Sequence, residues 1–127
     1  MILYHFCAAH MVESILEEGL TEGIFPHMEG DAFEPIPKCQ WLTADDDPKQ
    51  QSWATRIMVK YSRTAYRLTI NIPESYRKKV IHATDIVKGM PQYDQDLIYN
   101  WAGYENWYIF KGKIPPKWIV GCHKMKE

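Results

Sequence analysis

Between residues 66 and 72 the chain alternates with a period of two. Tyr66, Leu68, Ile70 and Ile72 are apolar, Arg67, Thr69 and Asn71 are polar, and Pro73 ends the run. Successive side chains of a strand point to opposite faces, so this is the pattern of a half-buried β-strand; Pro73, with no N–H for a ladder, stops it. An all-helical fold is excluded. The remaining elements are read around this strand.

Ile2-Leu3-Tyr4-His5-Phe6 reads as a first strand. From Met11, the apolar residues Val12, Ile15, Leu16 and Leu20 recur three and four apart with Glu13, Glu17 and Glu18 between them, which predicts an amphipathic helix that Gly19 or Gly23 can terminate. Residues 21–38 carry Gly23, Pro26, Gly30, Pro35 and Pro37 and read as a long irregular loop. Gln40 to Thr43 forms a second strand. Asp47 followed by Pro48 is a helix-start signal, and Trp53, Ile57, Met58 and Tyr61 continue at helical spacing. Beyond Pro73, Val80–Ala83, Trp107–Phe110 and Trp118–Cys122 read as strands, Thr84–Lys88 as a helical turn closed by Gly89, and Asp94–Trp101 as a short helix. Strands outnumber helices and the helices come early, an α+β pattern rather than βαβ alternation. With no repeat and no linker, residues 1–127 read as one domain.

Composition narrows the function classes. At 46% hydrophobic and 24% charged, the chain matches an ordinary globular domain and excludes disorder and collagen-like repeats. Cys7, Cys39 and Cys122 make neither an even framework nor a CxxC pair, which fits a reducing, cytoplasmic setting. No apolar run is long enough for a membrane span, and no secretory leader is legible. The net charge of −1 hides an asymmetry: residues 1–50 hold ten acidic and two basic side chains, a net of −8, whereas residues 51–127 hold six and thirteen, a net of +7. A dedicated nucleic-acid binder is usually far more basic than a sequence pI of 6.5. Five Trp, eight Tyr and four Phe are a heavy ring load that a flat-ringed ligand would use.

No GxG, HExxH, GxSxG or EF-hand pattern occurs. His5-x-Cys7-x2-His10 has no second ligand pair at comparable spacing, so no metal site is expected. Three segments carry more weight. They are Leu3-Tyr4-His5-Phe6 with the helix Val12-Glu13-Ser14-Ile15-Leu16-Glu17-Glu18-Gly19-Leu20; Trp41-Leu42-Thr43; and Glu105-Asn106-Trp107-Tyr108-Ile109-Phe110 leading to Lys113-Ile114-Pro115-Pro116-Lys117-Trp118-Ile119. In that order they resemble the ADP-ribosyltransferase-like superfamily, in particular its small bacterial and phage members and the DNA-modifying toxin branch.

The resemblance implies a split, twisted β-core of two facing sheets with a few short helices, and a cleft that holds NAD. It implies transfer of ADP-ribose to a nucleic-acid or protein acceptor, or hydrolysis of NAD. Carried over to matching positions, His5 would bond the adenosine-side ribose, and Thr43 or Trp41 would line the nicotinamide ribose. Glu105 would be the catalytic carboxylate, stabilising the oxocarbenium-like centre formed as the glycosidic bond breaks. Among the aromatics, Tyr4, Trp41, Trp101 and Trp107 are the candidates for stacking on adenine or nicotinamide, and Arg56, with Arg63 and Arg67, for clamping the pyrophosphate.

Two departures from the family pattern support other readings. Cys7-Ala8-Ala9 stands where a Ser or Thr usually follows the first strand, and Glu105 lies farther from the Ile-Pro-Pro turn than in the toxins. The alternative is a catalytically silent module that binds an NAD-derived nucleotide or a protein, such as a phage counter-defence factor. A relative of the RNA 2′-phosphotransferases ranks third.

Overall fold

The computed structural model of the protein describes residues 1–47 and 63–125. The helix expected from Pro48 to Tyr61, and Arg56 with it, lies outside the described residues. The chain opens with strand β1 (Ile2–Cys7) and helix α1 (Val12–Glu18), followed by four two-residue strands, β2 (Ile24–Phe25), β3 (Met28–Glu29), β4 (Ala32–Phe33) and β5 (Ile36–Pro37). Then come β6 (Cys39–Thr43), β7 (Tyr66–Asn71), β8 (Val80–His82), α2 (Ala83–Ile86), α3 (Gln92–Tyr99), β9 (Trp107–Lys111) and β10 (Ile119–Lys124). Six of the strands form one mixed-connection sheet in the order β10-β7-β1-β6-β9-β8, with every pairing antiparallel.

The coarse α+β reading holds, and the sheet is continuous rather than two separate sheets. It nevertheless has a seam. β1 pairs with β7 over six residues, from Ile2↔Asn71 to Cys7↔Tyr66, and β6 with β9 over five, from Cys39↔Lys111 to Thr43↔Trp107. β1 and β6 share the single registered pair Tyr4↔Thr43. The sheet is therefore two three-stranded halves joined at one rung.

One face is covered along both halves. Leu3, Leu42, Leu68, Ile70, Ile72 and Phe110 pack there against Ile15 of α1, Leu20, Ile114 and Trp118. The alternation of β7 is realised in this core, with Leu68 and Ile70 buried and Asn71 exposed. α1 ends where Gly19 takes φ +86°, a backbone conformation costly for any residue with a Cβ. The turn brings Leu20 to pair with Ile114 through N–H to O bonds of 2.9 and 3.0 Å. A Cβ on Gly19 would lie 2.0 Å from the Ile114 carbonyl oxygen.

The opposite face is covered only over the β6-β9-β8 half. Here Cys39, Trp107 and Ile109 pack against Phe25, Ala83, Ile86, Val87 and Ile98, drawn from β2, α2, α3 and the turn after α2. The supposed irregular loop at residues 21–38 supplies part of this cover and is ordered as nested hairpins, β3–β4 inside β2–β5. Its strands are too short to show a period of two. Buried Gln40 ties it down: the Gly23 N–H donates to Oε1 at 3.0 Å and Nε2 donates to the Gly112 carbonyl at 3.0 Å.

Candidate functional site

The seam is where the site forms. Past Tyr4↔Thr43 the backbone ladder between β1 and β6 stops, and the His5 side chain takes over: its Nδ1–H donates to the Trp41 carbonyl at 2.9 Å. A carbonyl only accepts, so Nδ1 carries the proton, and Nε2 of the neutral ring is an acceptor. Burial pulls the His5 pKa below the ordinary histidine value, against the opposing pull of the Trp41 carbonyl, and keeps the ring neutral. No hydrogen bond to Nε2 is made among the described residues. The imidazole thus links the two halves where the ladder has ended, with one ring nitrogen still able to bond a hydroxyl.

The space this leaves is a cavity of about 680 Å³. Tyr4, His5 and Phe6 of β1, Trp41 and Thr43 of β6, and Trp107 of β9 line it, together with Arg63, Ile24 and Pro26 from the hairpin region, and Leu97 and Trp101 from α3 and just beyond. Five of the six cofactor-binding residues expected from sequence, Tyr4, His5, Trp41, Thr43 and Trp107, therefore share one cavity. The aromatic wall is fixed rather than loose. Trp41 donates its Nε1–H to the Ile24 carbonyl at 2.8 Å, stacks on Phe25 with centroids 5.7 Å apart, and meets Trp107 edge-on at 6.1 Å. Thr43 is buried, and its Oγ1 accepts the Asp45 N–H at 3.0 Å. Arg67 lies over the Tyr4 ring at 5.3 Å and donates through Nη1 to the Asp46 carbonyl at 3.1 Å, so positive charge flanks the cavity from β7 as well as from Arg63.

Glu105 is not part of this lining. It sits on an exposed 3-10 turn, Tyr104–Asn106, that starts from Gly103 at φ +93°. Its backbone is engaged, since the Glu105 carbonyl accepts from His82 Nε2 at 2.6 Å while His82 Nδ1 accepts the Thr84 N–H at 3.2 Å. The cavity lining contains no carboxylate among the described residues, and residues 48–62 contain no Asp or Glu in their sequence.

Among the described residues no three His, Cys, Asp or Glu side chains group as metal ligands. Burial, with Cys122 nearby, pushes the Cys7 thiol up to about 11, which disfavours the thiolate a metal would need. Among the described residues no helix is long and apolar enough to cross a membrane.

One cluster had no sequence signature. Asp94 on α3 is fully buried and bonds the His27 ring, whose other nitrogen meets Glu29 at 2.9 Å. Asp94 reads in sequence as an ordinary acidic residue of a helix start, and its partner is 67 positions away. Comparison with protein-family models, curated proteins and solved structures gives no match.

Proposed function

We propose that this chain binds an NAD-type dinucleotide, or a nucleotide derived from one, in the seam cavity of an ADP-ribosyltransferase-like split sheet, as a binding module without glycosidic-bond cleavage. The observation that carries the reading is the His5–Trp41 contact at the seam, beside an aromatic-walled space and a ring nitrogen able to accept a ribose hydroxyl. The volume of about 680 Å³ falls within the usual range for small-molecule sites. Trp41, Trp101, Trp107 and Tyr4 offer flat apolar surface for the bases, and Arg63 and Arg67 offer charge for the phosphates.

The transferase reading differs in one requirement, a carboxylate at the scissile bond. Stabilising an oxocarbenium-like centre needs a negative charge within contact distance. Glu105 stands on an exposed turn outside the lining, which favours binding over turnover.

Titration calorimetry with NAD and with ADP-ribose tests the binding. Measurable affinity for either, weakened roughly tenfold in His5→Ala and unchanged in Glu105→Gln, is the expected result. Radiolabelled NAD incubated with the protein, alone and with cell extract, separates the two readings. Nicotinamide release or label transfer abolished by Glu105→Gln would establish the transferase instead, and absence of binding to either nucleotide would remove both.

A further inference from the structure

The cavity wall contributed by the nested hairpins and the wall contributed by α3 meet through a polar contact in otherwise apolar surroundings. Ile24 and Pro26 belong to the first wall, Leu97 and Trp101 to the second. His27 follows Pro26 directly, and Asp94 lies one helical turn before Leu97 and Ile98. Asp94, with no exposed surface, accepts the Met28 N–H through Oδ1 at 3.1 Å and the His27 ring Nδ1 through Oδ2. The other ring nitrogen, Nε2, meets the Glu29 carboxylate at 2.9 Å.

Ionised carboxylates only accept hydrogen bonds. A ring that bonds one through each nitrogen donates from both, and is therefore an imidazolium. Its charge also neutralises Asp94, whose burial as an unpaired anion would be costly. Two charged groups face the ring, Asp94 from α3 and Glu29 from β3; just after β4 the contact is a backbone one, the Glu34 N–H donating to the His27 carbonyl at 2.9 Å.

We propose that Asp94, His27 and Glu29 form a proton-operated clasp on the cavity: with both ring nitrogens protonated the hairpins are held against α3, and loss of one proton breaks a carboxylate bond, strips Asp94 of its counter-ion and loosens that wall. The direction with pH follows. The hydrogen bond to Asp94, then the one to Glu29, holds the His27 pKa above the ordinary histidine value. The clasp is complete below that ordinary value and is lost as pH rises through the raised one. Its effect on ligand affinity rests on the nucleotide reading above, whereas its effect on the hairpins does not.

Amide hydrogen exchange of the intact chain, corrected for the intrinsic pH dependence and followed with a parallel NMR titration of the His27 ring, tests the clasp. Protection of residues 24–37 is expected to fall about fivefold or more as His27 loses its proton. In H27Q it should be low and flat with pH. E29Q alters a side chain that is 77% exposed, so the fold is retained, and it should move the loss of protection to lower pH. If protection stays constant through the His27 titration, or if E29Q leaves the midpoint where it was, the clasp is refuted. NAD affinity that weakens over the same pH interval in the wild type and not in H27Q would extend the clasp to ligand control. A hairpin that loosens on cue with no NAD binding at any pH would uphold the clasp and overturn the nucleotide reading alone.

Discussion

The two halves of the sheet are built to different plans. The β10-β7-β1 half is dry on one face, where Leu3, Leu68 and Ile70 are buried, and its other face presents Tyr4, Arg67 and Thr69 to the seam and to solvent. The β6-β9-β8 half is covered on both: along β9, Trp107 and Ile109 enter one core while Tyr108 and Phe110 enter the other. Two layers become three at the seam. The cavity lies there, where the second cover ends at β6 and the His5 side chain bonds the Trp41 carbonyl beyond the last backbone rung between β1 and β6. The lesson is that the site is an edge effect of layer number, made from the boundary of a cover rather than from a dedicated loop.

The most damaging way to break the shared cover is at Gly19. Its φ of +86° and the 2.0 Å approach of a Cβ to the Ile114 oxygen leave no room, and the clashing atom is backbone. Gly19→Ala is expected to cost about 3 kcal/mol or more in urea unfolding, through loss of the Leu20–Ile114 bridge. Next come paired truncations that separate the halves. Leu68→Ala and Ile109→Ala each empty a fully buried site and should cost about 3 kcal/mol. Exchange protection should drop across the whole sheet in the first, and chiefly in α2, α3 and the nested hairpins in the second. Uniform loss in both would mean that the second cover is not a separate unit.

Two of the engaged histidines, His5 and His27, sharpen the comparison with opposite signs. His5, at the seam, has a lowered pKa, so folding disfavours its charged form and stability is lost as pH falls below the ordinary histidine value towards the lowered one. His27 has a raised pKa and its contribution is lost as pH rises through it. Urea midpoints measured against pH should show His5→Phe shallower than wild type on the acid limb and His27→Gln shallower on the alkaline limb. The same slopes in wild type and variants would remove both histidines from the account. Smallest is Thr43→Val, which deletes the Oγ1 acceptor of the Asp45 N–H; about 1 kcal/mol of stability is expected to go.

How much of this the sequence discloses follows the same division. β7 is legible because a strand dry on one face writes its environment as alternation. β9, buried on both faces, reads as an unbroken apolar run, which identifies a strand but not its two covers. The nested hairpins are hidden because two-residue strands carry no period, and their order comes from side chains outside them, Gln40 just beyond β5 and Asp94 far along the chain. In the site, Tyr4, His5, Trp41, Thr43 and Trp107 could be named together because each lies on a strand whose position its own motif fixes. Glu105 could not be placed that way. Its direction depends on the 3-10 turn after Gly103, a geometry that no residue pattern specifies.

The bond from His5 to the Trp41 carbonyl has one more consequence. The registered β1–β6 pair is peptide to peptide and indifferent to side-chain identity, whereas this link is written in a single codon. A substitution at position 5 is therefore expected to change the seam while leaving the registered backbone pairs of β1 with β7 in place.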